Sequence, residues 1–276
     1  MIEIKVRLAP EHTEVLIAEL YSAGFDSFAE HDEGFDAYVE EELFNEKQLN
    51  DFFAAHALQF PLSYTIGKLE NKNWNEEWEK NFSPVVIANK CLVRASFHPQ
   101  NPTYPYEIII NPKMAFGTGH HETTSMMIEQ QLSINHKDKD VLDAGSGTGI
   151  LAIMAAKLGA KNIAAFDIDE WAFENIKENI NLNDCSYIKT YLGDIKNIFL
   201  PLRKYDIVLA NINKNVLLQE IPVYSSYLEK NGLLVMSGFY EQDCADLEEV
   251  MNLNALSVTR RSANNNWACV VAEKVI

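Results

Sequence analysis

Apolar and polar residues alternate through "IEIKVRLA" (2–9), the period of a half-buried strand. The following "PEHTEVLIAELYSAGF" (10–25) changes to helical spacing, with Pro10 at its start and Gly24 near its end. "SFAEHDEGFDAYVEEE" (27–42) predicts a hairpin around "DEG", "NEKQLNDFFAAHA" (45–57) a second helix and "LSYTIGKLE" (62–70) a strand. The order β-α-β-β-α-β is that of a small ferredoxin-like α+β domain. Next, "NWNEEWEKNFSPVVIANK" (73–90) predicts a linker helix closing on Pro84, with Trp74 and Trp78 on one face.

From "EIIINP" (107–112) onward, short apolar runs alternate with helical patterns. Strands are expected at 140–145, 162–168, 187–192, 205–211 and 232–238, with helices between them led by "GILAIMAAKLGA" and "EWAFENIKENINLN". Parallel strands joined by crossover helices make a doubly wound α/β sheet. The tail, "ALSVTRRSANNNWACVVAEKVI", breaks that alternation and predicts a C-terminal antiparallel hairpin around an Asn-rich turn. The chain thus divides into a ferredoxin-like domain (1–70), a linker helix (71–90) and an α/β domain (91–276).

Composition narrows the class. The formal net charge is −17, and residues 1–70 carry fifteen Asp/Glu against four Lys/Arg. Such a field repels phosphate backbones and attracts basic partners, which argues against nucleic acid as the direct substrate. Cys91, Cys185, Cys244 and Cys269 are far apart with no CxxC pair, so buried free thiols are expected rather than a disulfide framework or a zinc site. "MIEIKVRLAPEH" lacks the pattern of a secretory leader, and no apolar run is long enough to span a bilayer. The expected location is cytoplasmic, with no membrane partner.

In "VLDAGSGTGIL" a buried strand runs into Gly145-Ser146-Gly147-Thr148-Gly149 and then a helix. Such a loop brings bare backbone and free N–H donors up to a ligand. The third glycine comes one residue too early for the dinucleotide fingerprint, and there is no G-x-x-x-x-G-K-[ST]. Asp167 ends the next strand, placed to accept bonds from both hydroxyls of a ribose, while Asp169 is expected past the crevice. Asp194 follows the third strand, where its carboxylate can serve an adenine amino group or simply cap a helix. Together the acids outline a nucleoside pocket without a pyrophosphate site.

These features resemble the class I S-adenosylmethionine-dependent methyltransferases, over residues 108–276. "ANIN" (210–213) is similar to the (N/D)PP(Y/F) position of amino-group methyltransferases, with Ile212 and Asn213 in place of the prolines. "MAFGTGHHETT", "VLDAGSGTGILAI", "VLANI" and the segment "WNEEWEKNFSPV" resemble the PrmA family, which methylates protein eleven of the large ribosomal subunit. The resemblance implies S-adenosyl-L-methionine as cofactor, a Rossmann-like catalytic domain, and amino groups of that basic ribosomal protein as acceptors: lysine side chains, the N-terminus, or both. By the same similarity Thr124, Gly145, Asp167 and Asn211 contact the cofactor. Gly147 belongs to the same loop, and Phe116 is expected to cover the cofactor or the arriving side chain.

The stretch 111–124 then reads as a flexible turn feeding a helix whose first-turn threonine and N–H groups hold the amino-acid end of the cofactor. A metal site is disfavoured, because His120 and His121 are neighbours that project apart and "HETTS" is not H-E-x-x-H. Amine methylation needs alignment and exclusion of water more than acid–base groups. Asn211 is the expected aligning residue, and no general base stands out. Two alternatives remain at this level: a nucleic-acid adenine methyltransferase, which predicts a basic face, and a non-catalytic binder of the cofactor.

Overall fold

The alternation at residues 2–8 forms strand β1 (Ile2–Leu8), with Ile4 and Val6 fully buried and Lys5 exposed. Helix α1 (Thr13–Ser22) follows one turn of 3₁₀ helix at Pro10–His12 and ends where the Phe25 N–H bonds the Leu20 carbonyl at 3.1 Å. Strands β2 (Ser27–His31) and β3 (Gly34–Val39) make the expected hairpin. Helix α2 (Glu46–Ala57) is capped by Asn45, whose side chain accepts the Gln48 N–H, and leads into β4 (Leu62–Lys68). The sheet order β2-β3-β1-β4, antiparallel throughout, is the ferredoxin-like one. Its core of Ile4, Val6, Leu16, Leu20, Phe35 and Phe53 is separate from those of the rest of the chain.

The computed structural model describes residues 2–276 apart from 23, 26, 32, 41–42, 69–82, 112–115 and 202–203. It divides into two compact units, Met1–Asn81 and Phe82–Ile276. Trp74, Trp78 and most of the expected linker helix lie outside the described residues. Its last part is not helical. Val85–Ile87 is strand β5, paired with β6 (Cys91–Arg94), which pairs in parallel with β7 (Tyr106–Ile109). The β-branched run "VVI" favours extended backbone over helix.

The large sheet contains β8 (Asp140–Ala144), β9 (Asn162–Asp167), β10 (Lys189–Leu192), β11 (Tyr205–Asn211), β12 (Leu228–Tyr240), β13 (Leu256–Asn264) and β14 (Trp267–Lys274). Their order is β10-β9-β8-β11-β12-β14-β13. The first five run parallel and β14 and β13 form the antiparallel C-terminal hairpin. Strand residues alternate between two cores: Ile207 and Leu209 join one, Val208 and Ala210 the other. Helices α3 (Glu122–Leu132), α4 (Ile150–Lys157) and α5 (Glu170–Leu182) cover the first face, and α6 (Lys214–Tyr227) and α7 (Cys244–Leu253) the second. Strand order reverses at β8, between β9 and β11, so the ligand crevice of such sheets belongs at the carboxyl ends of these strands. All four cysteines are buried and free.

A column of asparagines fastens the small sheet to this domain. Asn183 accepts the Ile109 N–H at 2.9 Å and donates to the Ile109 carbonyl at 2.6 Å. One turn back, Asn179 accepts the Asn111 N–H and donates to the Thr148 carbonyl, while Asn175 donates to the Asn111 carbonyl. All three are buried. A buried amide left without such partners would cost on the order of 1–3 kcal/mol, so these bonds hold the end of β7 and Asn111 firmly against α5.

Asp143, in the middle of β8, is fully buried. One carboxyl oxygen accepts the Ala152 N–H at 3.0 Å and the other has no partner among the described residues. Burial, opposed by that bond and reinforced by the Asp167 charge, pushes its pKa from 3.8 up to about 8. The folded chain therefore keeps a proton that the unfolded chain releases near pH 3.8, and this contribution to stability is complete below pH 3.8 and lost as pH rises through about 8. Asp143→Asn, which keeps an oxygen for Ala152, should remove that dependence. In urea unfolding between pH 5 and pH 8.5, about the range of the raised pKa, the wild-type midpoint should fall relative to the variant's as pH increases. A constant difference across that range would show that Asp143 is already ionised in the folded state.

Candidate active site

At the end of β9, Asp167 holds the glycine loop. Its Oδ2 accepts the Gly147 N–H at 2.8 Å and its Oδ1 the Asp169 N–H at 3.1 Å. Each carboxylate oxygen has two lone-pair sites, so both retain acceptor capacity toward the crevice. From the other side the loop meets the segment after residue 115: the Thr148 N–H bonds the Phe116 carbonyl at 3.0 Å, and the Thr148 hydroxyl donates to the Gly117 carbonyl. Gly147 has a φ of +52°, and a Cβ there would lie 2.3 Å from the Phe116 oxygen. Only glycine permits this backbone contact.

The loop opens onto a cavity of about 740 Å³, within the range of small-molecule sites. Gly145, Gly147, Asp167, Asp194, Asn211 and Phe116 all line it, so six of the seven residues singled out in the sequence converge there. Thr124 is the exception. It is fully buried, and its hydroxyl accepts the Asn211 side-chain N–H at 3.4 Å, while its neighbour Thr123 lines the cavity. Both threonines are fully buried, and of the pair Thr123 reaches the lining while Thr124 touches it through Asn211. Thr124 thus orients Asn211 from behind. The Asn211 Oδ1 is shielded from solvent and has no partner among the described residues.

Asp194 lines the cavity and also fixes the turn after β10, its carboxylate accepting from the Lys196 N–H (2.6 Å) and the Asn197 amide (3.1 Å). Asp169, expected past the crevice, caps α5 through the N–H groups of Trp171 and Ala172 and still lines the cavity. With Glu220 of α6 the lining carries four carboxylates against one lysine, Lys196, a field suited to a cationic ligand. A nucleoside carrying a sulfonium fits these residues: acids for the ribose and the charge, bare loop backbone, and an orphaned amide oxygen at the head of β11.

His120 and His121 do project apart. His120 reaches the Ser83 carbonyl through Nε2, whereas His121 caps α3, its Nδ1 accepting the Thr123 N–H at 3.3 Å. The same nitrogen lies 2.8 Å from the Thr123 hydroxyl, so the ring is held against the first turn of α3. Three features were not foreseen from the sequence: Glu220, His121 as a lining residue, and Trp267 at the start of β14. The only sequence signal for Trp267 was its place just after the Asn-rich turn. Gly238 sits at a bulge in β12 with φ +95°, and a Cβ there would lie 2.4 Å from the Ile212 carbonyl oxygen. The segment after Asn211 is therefore packed directly on β12.

Comparison with known proteins agrees with this geometry. The family described as ribosomal protein L11 methyltransferase (PrmA) matches residues 2–275. The ribosomal protein L11 methyltransferase of Phocaeicola vulgatus is 43% identical over 263 residues, covering 93% of this chain and 92% of that protein. The protein of the same name from Chlorobaculum parvum is 34% identical, covering 99% and 96%. Among solved structures, a ribosomal protein L11 methylase from Lactobacillus delbrueckii subsp. bulgaricus shares the fold, with a TM-score of 0.65 at 24% identity over 71% of this chain and 99% of that one. The motifs, the mainly parallel sheet with its terminal hairpin and the whole-chain match lead to one conclusion: this chain belongs to the PrmA family of ribosomal protein L11 methyltransferases and has the class I methyltransferase fold.

Proposed function

We propose that this chain transfers methyl groups from S-adenosyl-L-methionine to amino groups of ribosomal protein L11, on lysine side chains, at the N-terminus, or both. The observation that carries the reading is the Asn211 Oδ1, a buried acceptor without a partner on the wall of a cavity that also holds the glycine loop. Turned toward the cavity, that oxygen accepts an amine N–H and aligns it. When bound, the cofactor supplies a methyl group on a sulfonium that leaves as a neutral thioether, so the chain has to align, exclude water and keep the acceptor nitrogen unprotonated. Asp167 holds the ribose, Gly145 and Gly147 admit the cofactor to the loop backbone, and Thr124 fixes the Asn211 amide. A lysine with a pKa near 10.4 needs roughly 4–5 kcal/mol to lose its proton at pH 7, and a dry pocket beside a fixed positive charge lowers that cost. No side chain is assigned as general base. The acidic N-terminal unit is the recognition module for the basic ribosomal protein, a reading supported by its net charge of −11 over residues 1–70. Mass spectrometry of ribosomal protein L11 after incubation with enzyme and cofactor tests the reading directly, and an unmodified substrate would reject it.

Three variants probe the parts. Asp167→Ala should weaken cofactor binding by about 2–4 kcal/mol through loss of two charge-assisted bonds, with the folded state retained. Calorimetry showing wild-type affinity would remove Asp167 from the site. Asn211→Ala should lower turnover more than cofactor affinity, because alignment matters most in the transition state; equal losses in both would restrict it to binding. A chain beginning near Asn71 should still bind cofactor but lose most transfer to the ribosomal protein. In the intact enzyme, substrate affinity should fall with added salt, since surface charges are screened over about 8 Å at physiological ionic strength, while cofactor affinity changes little. Full-rate methylation by the shortened chain would place recognition in the catalytic unit.

A further inference from the structure

The start of α6 is held by a residue that no motif singles out. Asn213 caps this helix, its side chain accepting the Val216 N–H at 3.2 Å, and Lys214 is the first helical residue. A cation there opposes the positive end of the helix dipole, so the lysine calls for a reason. Its partners supply one. The Lys214 Nζ lies 2.8 Å from Asp243 Oδ1 and 2.7 Å from Asp246 Oδ2. Asp243 closes a turn of 3₁₀ helix (Glu241–Asp243) after β12, and Asp246 lies in α7. The other Asp243 oxygen accepts the Tyr240 N–H at 3.1 Å, which fixes that carboxylate to the end of β12. Ion pairs between two mobile, exposed side chains contribute little. Here Lys214 and Asp243 are only 28% and 16% exposed, and the acid is anchored to backbone.

Three residues separate this clamp from the cavity amide. The Ile212 N–H bonds the Ser237 carbonyl at 3.2 Å, and the Ile212 carbonyl packs on Gly238. The Asn211 side chain has one hydrogen bond among the described residues, the 3.4 Å contact with Thr124. A bond of that length restrains direction weakly. The aim of the amide therefore follows the backbone of residues 211–214, which β12 holds at Ile212 and the lysine holds at its far end.

We infer that Lys214 is a positioning residue for methyl transfer: by clamping the start of α6 to the turn after β12, it sets the direction of the Asn211 amide; this rests on the aligning role proposed for Asn211 above. Lys214 is not among the residues that line the cavity, whereas Asn211, Ile212, Asn213 and Val216 are. Its effect on transfer passes through the segment it holds. Without the ammonium, Asp243 and Asp246 lose their common counter-ion and repel each other, and the turn and the helix are no longer drawn together. An amide displaced by a fraction of an ångström loses rate before it loses affinity, since a misplacement of about 1 Å costs about 100-fold.

The test compares Lys214→Met, which keeps the length of the side chain and removes its charge, with Lys214→Arg. In amide-correlation NMR spectra of the full chain loaded with S-adenosyl-L-homocysteine, the Asn211 side-chain signals are assigned as the pair missing from Asn211→Ala. They should shift in Lys214→Met and return toward their wild-type position in Lys214→Arg. With ribosomal protein L11 as substrate, kcat should fall about 10-fold in Lys214→Met while KM and cofactor affinity stay within about 3-fold, and Lys214→Arg should recover most of the loss. The retained cofactor affinity also shows that the variants fold. Placed on top of Asn211→Ala, Lys214→Met should cost nothing further, because two residues that act through one group are not additive. Unmoved Asn211 signals in Lys214→Met, or a second loss of the same size on top of Asn211→Ala, would overturn the inference even if the ribosomal protein is methylated. Shifted signals with no methylation of that protein by the wild type would instead reject the acceptor reading and leave Lys214 as the residue that sets the amide.

Discussion

The bond from the Gly147 N–H to the Asp167 carboxylate is the joint on which the site depends. It ties the glycine loop after β8 to the end of β9, and so fixes the crevice where strand order reverses. The same loop is gripped on its far side by the Phe116 and Gly117 carbonyls through Thr148. Two loops 31 residues apart in the chain thus meet through one backbone bond and one hydroxyl bond, both made by Thr148. A carboxylate that both builds the loop and lines the cavity ties the shape of the cavity to loop geometry.

Much of this was legible in the residues themselves. The period-2 pattern of residues 2–8, the apolar runs of β8, β9 and β11 and the Asn-rich turn of the tail each map onto the observed elements within a few positions. Local signals suffice there, because burial on one or both faces of a strand leaves its mark on every residue. What local signals do not carry is of another kind. Residues 85–87 lie within the expected linker (71–90) but form a strand, as their β-branching favours. Thr123 and Thr124 are chemically identical neighbours, and only the phase of α3 decides which faces the cavity. The meeting of Trp267 with His121 spans some 146 positions and leaves no local pattern at all.

Negative charge serves two ends in this chain. In the N-terminal unit it is spread over the surface, which gives reach but little geometric definition. Around the cavity it is concentrated in Asp167, Asp169, Asp194 and Glu220, each of which also makes a defined bond to the protein: to loop or helix N–H groups for the three aspartates, and to the Tyr224 hydroxyl for Glu220. Those bonds fix the orientation of each carboxylate at the cavity. A cationic ligand meets preorganised acceptors rather than a mobile cloud of charge.

The asparagine column of α5 has a consequence outside the site. Strand β7 is the edge of its three-stranded sheet, and such an edge is an open template for another chain to add a strand. An asparagine side chain is a peptide group on a short stalk, with one donor and one acceptor side. Residues four apart on a helix rise about 6 Å, close to the roughly 6.6 Å that two strand residues advance. Asn183 and Asn179 therefore fall in step with Ile109 and Asn111 and occupy their backbone groups as a neighbouring strand would. A helix here impersonates a β-strand, and the edge is closed to self-association by an element that cannot itself propagate a sheet.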